Sequence, residues 1–452
     1  MIPDRTMPAF PSPSPRVGLL RTKGLSRQIV ERFLERAGVS INGPNPWDIR
    51  VHDERLYTRV LREKNLGLGE AYMDGWWDCP RLDEFICRVL QVGLDEAVTG
   101  SPIYLLRSLP ALVLNLQSKS RAHIIAKRHY DRDNDLFLSF LDPYNQYSCA
   151  VFEGTDNLAE AQKKKLDLIC RKLDLQPGDH VLDIGGGWGG LARYMAQQHG
   201  CAVTSVNISE EQIRYAREFC RGLPVTFLQA DYRQIRGTFD KIVSVGMFEH
   251  VGWKNYRTFM KIVHRCLKQD GLFLLHTIGS NASRINCDPW ITRYIFPNGM
   301  LPSIAQIGRA VEGLFVMEDW ENLGPHYDRT LMAWNENFQR AWTLLKDRYD
   351  MRFKRMWEYY LLSCAGAFRA RNIQLWQIIL TKSGNALDRN AVAGPVAALP
   401  FFRRRRQYEN DPPLLRHGRR NHPGPFPDSQ SQIMRLKTQE NTLNDDNSSI
   451  SD

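Results

Sequence analysis

The chain of 452 residues contains no run of about 18 apolar residues, so no segment reads as a helix that crosses a bilayer. Its nine cysteines stand singly, without a C-x-x-C pair. That spacing argues against structural zinc and against a disulfide framework, and it suits a reducing cytosol. No H-E-x-x-H occurs, which removes a zinc protease, and no metal is expected. RRM, KH, zinc-finger and basic-zipper signatures are also missing, so nucleic acid is not an expected partner. The opening MIPDRTMPAFPSPSPRVG is rich in proline and has no apolar stretch of the secretory kind.

What is present can build a core: 43% of residues are hydrophobic and 24% charged. Lysine and arginine outnumber aspartate and glutamate by 60 to 50, a net charge of +10. A surplus of that size either favours an anionic partner, nucleic acid or acidic lipid headgroups, or is simply a solvated basic surface, and the missing motifs lower the nucleic-acid reading.

Five prolines between Pro3 and Pro15 predict a flexible leader over residues 1–24. A helix is expected from Leu25, with Ser26 as its cap and Ile29, Val30, Phe33, Leu34 and Ala37 on one face before Gly38. Helical segments around 81–98 and 102–118 close a first region. The basic apolar stretch that follows reads either as a packed interdomain helix or as a surface-seeking amphipathic one. From residue 178 short β-branched runs alternate with helical ones. Strands are expected at 180–185, 202–208, 225–231, 240–248 and 271–279, and helices at 188–199, 209–221 and 255–267. Runs this apolar are buried on both faces, as in a parallel sheet. Aromatic helices at 331–346 and 350–366 follow. The expected fold is thus α/β, a Rossmann-like doubly wound sheet with a smaller, mostly helical N-terminal domain. Beyond 382 the chain carries RRRR, repeated proline and a polar end, without periodicity, and reads as a disordered tail.

The first strand ends in LDIGGGWGG. Gly185, Gly187 and Gly190 satisfy G-x-G-x-x-G, but the second strand ends Val206-Asn207-Ile208, without the carboxylate a dinucleotide ribose requires. Asp183 stands before the glycines instead, and Asp231 closes the third strand. That combination fits a loop for S-adenosylmethionine, with backbone approaching the ligand where side chains are missing. Glu249 follows the fourth strand and His276 sits in the fifth, both at carboxyl ends where open α/β sheets bind ligands. An acid and an imidazole there can form a base-type site or hold a small anion. His250 reads as a structural polar residue, and Cys149 in QYSCA as a small core residue.

Nine strings carry a resemblance: GLGEAYMDGWW, LNLQSK, LDPYNQYSCA, VLDIGGGWGGLA, SVGMFEHVG, FLLHTIGS, DPWITRYIFPNG, YDRTLMAWNENF and CAGAFRARNIQLWQ. From about residue 25 to 381 the chain resembles the bacterial cyclopropane-fatty-acyl-phospholipid synthases, which are methyltransferases using S-adenosylmethionine. The resemblance implies a class I methyltransferase fold. It also implies an N-terminal lipid- and membrane-associating domain (25–118) and a catalytic domain (119–381). The tail from 382 to 452 has no counterpart. Cofactor-contacting positions are then Tyr147, Ser148, Asp183, Gly185, Gly187, Gly189, Asn207, Gln212, Asp231 and Tyr232. Cys149, Glu249, His276, Ile278 (through its backbone) and Tyr327 match positions that hold a bicarbonate ion, and Cys364 matches a cysteine often given as the active-site residue. The implied reaction adds a methylene from S-adenosylmethionine across the cis double bond of a phospholipid acyl chain, with bicarbonate as base. The implied setting is a cytoplasmic homodimer on the anionic inner face of the membrane, with Arg27, Arg32, Arg36 and the 119–128 segment toward the lipid. The related loops usually read IGCGWGG, so Gly186 is a departure, from which a somewhat more mobile loop is expected.

Overall fold

The structure is a computed structural model, and it describes residues 15–93, 134–285 and 287–383. Expectations for 102–118, the 119–128 segment and the tail lie outside these residues. The first helix, α1 (Pro15–Arg36), begins ten residues earlier than its sequence pattern indicates, so the leader does not run to residue 24. Pro15 stands in the first turn, where the missing N–H breaks no helical bond, and Ser26 therefore lies inside the helix rather than capping it. Val30, Leu34 and Ala37 are buried as expected, but Phe33 faces solvent.

Two short strands, β1 (Arg50–Val51) and β2 (Trp77–Asp78), pair antiparallel around helices α2 (Arg55–Glu63) and α3 (Asn65–Met73). Helix α4 (Leu82–Gln91) follows, and after it α5 (Asn134–Phe140) and α6 (Leu158–Lys172). Then come β3 (His180–Ile184), α7 (Gly190–His199), β4 (Ala202–Asn207), α8 (Glu210–Phe219), β5 (Val225–Gln229) and β6 (Phe239–Val245). The chain continues through α9 (Tyr256–Cys266), β7 (Leu267–Ser280), α10 (Pro289–Tyr294), α11 (Ile304–Val311) and β8 (Phe315–Asn322). Two long helices, α12 (Gly324–Leu345) and α13 (Met351–Arg369), precede the last strand, β9 (Ile373–Lys382).

Strands β3 to β9 form one seven-stranded sheet in the order β5-β4-β3-β6-β7-β9-β8. The β5 to β7 pairings are parallel, and β9 inserts antiparallel between β7 and β8. Strand order reverses beside β3, and that reversal opens a crevice at the carboxyl ends of β3 and β6.

Helices α3 and α4 pack on α13 through one continuous apolar core that joins Trp77, Leu82 and Phe85 to Tyr359, Ala365 and Phe368. Gly366 is needed there, because a Cβ would stand 2.4 Å from the Asp83 carbonyl oxygen of α4. Arg369 ties the same junction, donating from Nη1 to Asp83 at 2.5 Å and gripping Asp328 with two bonds of 2.9 Å.

Candidate active site

A cleft of about 200 Å³ lies at the reversal point, with the glycine loop as its floor. Gly185, Gly187 and Gly189 have φ of 92°, 53° and 83°, a left-handed conformation that side chains resist, and Gly185 N–H donates to Val206 O at 2.8 Å. The loop backbone is thereby folded flat against β4. Nine of the ten expected cofactor residues line the cleft, and the tenth, Gly189, sits just outside as the N-cap of α7. Asn207 holds the loop from β4, donating to Gly187 O at 3.2 Å and to Gln212 Oε1 at 2.9 Å. Asp231 caps the turn after β5 and accepts from Arg233 Nη1 at 2.8 Å, so its charge is already partnered within the cleft wall.

Gly186 leaves no gap. A Cβ at this position would lie 1.8 Å from Ser205 Oγ and 2.7 Å from Asp183 Oδ2. The Ser205 hydroxyl fills the room of a side chain and donates to Asp183 at 3.3 Å. Burial pushes the Asp183 carboxyl up to about 7, against the opposing pulls of Ser205 and Lys165. Lys165, fully buried on α6, donates to Ser148 Oγ at 3.0 Å and to Gln146 Oε1, and so fixes the segment that walls the cleft from the other side. Desolvation lowers its amine to about 8.

None of the expected catalytic residues lines the cleft, whereas Tyr147 does. The Tyr147 ring stacks on Trp334 at 5.1 Å, meets Phe137 edge-on at 5.1 Å, and shares a 2.8 Å hydrogen bond between its hydroxyl and that of Tyr360. It thus joins the cleft to an aromatic interior built from α5, α12 and α13. Tyr327 in that interior stacks on Phe368; desolvation, and after it the neighbouring Cys149, Tyr147, Glu249 and Cys364, raise its phenol far above the ordinary range.

Glu249 sits in the turn after β6 rather than on the strand, buried. Its Oε1 accepts from Ile278 N–H at 2.6 Å, while Oε2 lacks a close hydrogen-bond partner among the described residues. The Ile278 amide is therefore engaged by Glu249. Desolvation pushes this carboxyl up to about 7, opposed by the Ile278 amide, its own amide and the Thr277 hydroxyl. His276 is buried on β7; Gln377 Nε2–H donates to its Nδ1 at 3.2 Å, and its Nε2 has no partner among the described residues. Desolvation, with Lys165 and Lys172 nearby, holds the imidazole well below its ordinary range, hence neutral. The Cys149 thiol is buried against the Ala150 and Leu323 carbonyls and raised by desolvation. Cys364, half-buried one turn beyond Tyr360, is pushed up to about 12 by desolvation and stays a thiol.

Several contributors escaped the sequence reading. His250 lines the cleft beside Phe296, with desolvation lowering it to about 4. Trp188, Arg233 and Met247 also line it. Gln377 was missed too, although a glutamine within LWQIIL is a polar residue in an apolar strand, a signal worth reading.

The sheet order, the glycine loop and Asp183 at the end of β3 define a class I S-adenosylmethionine methyltransferase. A family model described as mycolic acid cyclopropane synthetase matches residues 117–378. The cyclopropane-fatty-acyl-phospholipid synthase of Escherichia coli (strain K12) is 56% identical over 355 residues, 78% of this chain and 93% of that protein. The tuberculostearic acid methyltransferase UfaA1 of Mycobacterium tuberculosis is 34% identical, covering 73% and 82%. A solved structure of mycolic acid cyclopropane synthase CmaA1, complexed with SAH and CTAB, superposes with a TM-score of 0.54 at 33% identity, over 57% of this chain and 98% of that one. The chain belongs to the mycolic acid cyclopropane synthetase family, as a methyltransferase of the cyclopropane-fatty-acyl-phospholipid synthase type.

Proposed function

We propose that the chain transfers a methylene group from S-adenosylmethionine to the cis double bond of acyl chains in membrane phospholipids. The π electrons attack the sulfonium methyl and the carbon–sulfur bond breaks, releasing S-adenosylhomocysteine and leaving a cation on the chain. Loss of one proton from the added methyl closes the ring. The aromatic interior behind Tyr147 suits this course, since ring faces stabilise cations and burial excludes water that would quench them.

One observation carries the choice of base: Glu249 Oε2 and His276 Nε2 are buried polar atoms without hydrogen-bond partners among the described residues. Leaving two such atoms bare is costly unless something hydrogen-bonds to them. Glu249, His276 and Tyr327, with Cys149 beside them, fit a small oxyanion, which we assign as bicarbonate. When bound, bicarbonate supplies the proton acceptor for ring closure. Ile278 contributes by holding Glu249. Cys364 has no step in this scheme.

The setting is an anionic membrane face on the cytoplasmic side, reached by a homodimer. Arg32 and Arg36 are exposed on α1 and support it, whereas Arg27 is committed to Glu31 and Glu54. No helix among the described residues is long and apolar enough to cross a membrane. The family includes an enzyme named for tuberculostearic acid, so methylation without ring closure is the competing outcome. Expression in a host lacking the activity, followed by mass spectrometry and ozonolysis of acyl chains, separates the two. Both add one CH₂, but only the cyclopropane resists ozone. Unchanged acyl masses overturn the proposal.

A further inference from the structure

The reading of a bicarbonate site leaves open what orients the imidazole within it. His276 on β7 and Gln377 on β9 stand directly opposite in the antiparallel register, which places both side chains on one face of the sheet. Both are buried, with Gln377 fully so. On its other flank Gln377 is in register with Glu321 of β8, whose carboxylate takes Lys172 Nζ at 2.6 Å. Among the described residues the amide oxygen has no partner, and its nitrogen is the only group bonded to the ring.

An amide nitrogen can only donate, so the ring nitrogen facing it must accept. His276 Nδ1 is then the bare nitrogen of the neutral ring, and the proton sits on Nε2, the atom left without a partner. The opposite amide orientation would place the NH₂ where nothing accepts from it. Stranded buried N–H groups are rarer than stranded carbonyl oxygens, so the observed orientation is the favoured one.

We propose that Gln377 is a positioning residue that sets the His276 tautomer, so that Nε2–H is presented as a hydrogen-bond donor to the oxyanion. This rests on the bicarbonate reading above. An acceptor at position 377 would reverse the ring: Nδ1–H would point at residue 377 and a lone pair at the anion, turning attraction into repulsion. The outer partner of a metal-bound histidine works by the same logic.

The test uses the full chain, labelled with ¹⁵N-histidine, and the variants Gln377→Glu and Gln377→Met. Long-range ¹H–¹⁵N correlation identifies the tautomer of His276, whose signal is the one lost in His276→Asn. Turnover on unsaturated phospholipid vesicles is measured in CO₂-stripped buffer with bicarbonate added back, and S-adenosylmethionine affinity by calorimetry. The wild type should show Nε2–H. Gln377→Glu should lose that tautomer and raise the bicarbonate concentration for half-maximal turnover by roughly tenfold or more, in line with the effect of outer partners. Cofactor affinity should stay within about threefold, because the cleft is untouched. Gln377→Met, which keeps the bulk and removes the donor, should give mixed tautomers and an intermediate shift. An Nδ1–H tautomer in the wild type overturns the proposal even if neither variant folds. So does Gln377→Glu with tautomer and bicarbonate response both unchanged. Wild-type turnover indifferent to bicarbonate, with the tautomer still switched by Gln377→Glu, refutes the anion reading instead and leaves the hold of Gln377 on the ring established.

Discussion

Gly186 offers the sharpest test of how the cofactor loop is built. Cysteine, the usual residue of related loops here, would bring a Cβ to 1.8 Å from Ser205 Oγ and 3.2 Å from its Cβ. Ser205 is 1% exposed on a central strand, so it cannot swing into solvent. It must rotate away and abandon Asp183, or the loop must lift. Overpacking of this kind costs about 1–3 kcal/mol. Replacing a glycine whose φ is not left-handed returns about 0.4–1 kcal/mol through the unfolded chain. Gly186→Cys should therefore destabilise by roughly 1–2 kcal/mol, and displacement of Asp183 should weaken S-adenosylmethionine binding by roughly tenfold, about 1.4 kcal/mol. Ser205→Gly alone strips Asp183 of its hydrogen bond and should cost about 1–3 kcal/mol. Together the two changes exchange one occupant of the space for another, and the double variant should be no worse than the poorer single. Unfolding midpoints and calorimetric affinities for the four proteins give the coupling, expected at roughly 1.5 kcal/mol or more. Additivity within about 0.5 kcal/mol would refute the idea that these side chains compete for one place.

Glu249→Gln should keep cofactor affinity and slow product formation by roughly 10²–10⁴-fold, with bicarbonate no longer stimulating; near wild-type turnover removes Glu249 from the base site. The same variant has a signature in ligand-free, bicarbonate-free protein. Because the Glu249 carboxyl titrates at about 7 when folded against 4.5 ordinarily, its stabilisation is complete below about 4.5 and is lost as pH rises through 7. Wild type should thus lose up to about 3 kcal/mol relative to the variant between pH 4.5 and 8, read from denaturation midpoints, and parallel pH profiles contradict it. Cys364→Ser should retain turnover within about threefold, since a thiol held at about 12 offers no nucleophile near neutrality. Binding to anionic vesicles should weaken between low salt and above 0.15 M, where the Debye length is about 8 Å; indifference to salt and to lipid charge excludes electrostatic attachment.

The parallel half of the sheet was legible because its strands are buried on both faces and read as continuous apolar runs between helical ones. The antiparallel half was not. β8 reads FVMEDWEN, an edge strand with an exposed alternate face, and β9 follows a helix closely enough for IQLWQIILTK to read as neither element. Proline misled at the N-terminus, where Pro15 opens a helix instead of forbidding one. Composition and spacing located the glycine loop, Asp183 and Asp231, since a loop that wraps a ligand is written locally. The partners of Glu249 and His276 were not readable, because Ile278 and Gln377 reach them across strands 29 and 101 residues away.

The ionisation states in the aromatic interior bear on why a cation could survive there. A carbocation is trapped by any thiolate, phenolate or carboxylate within reach. Cys149, Tyr327 and Tyr360 are buried and desolvation raises all three, and Cys364 stands at about 12, so each stays protonated near neutrality. Glu249, at about 7, is the acid in this set closest to ionising, and its Oε1 is already tied to the Ile278 amide. His276 is neutral, and with Gln377 donating to Nδ1 its remaining nitrogen carries hydrogen rather than a lone pair. Burial thus does two things with one physical cause: it keeps water out and it keeps the thiols and phenols from becoming nucleophiles. The same condition leaves those thiols and phenols unable to act as bases. A chamber that must take one proton from a cation, yet hold no permanent anion that could bond to it, needs a proton acceptor that is small, hydrogen-bonded on several sides and a poor carbon nucleophile. Bicarbonate, as proposed for the site of Glu249, His276 and Tyr327, would meet all three demands.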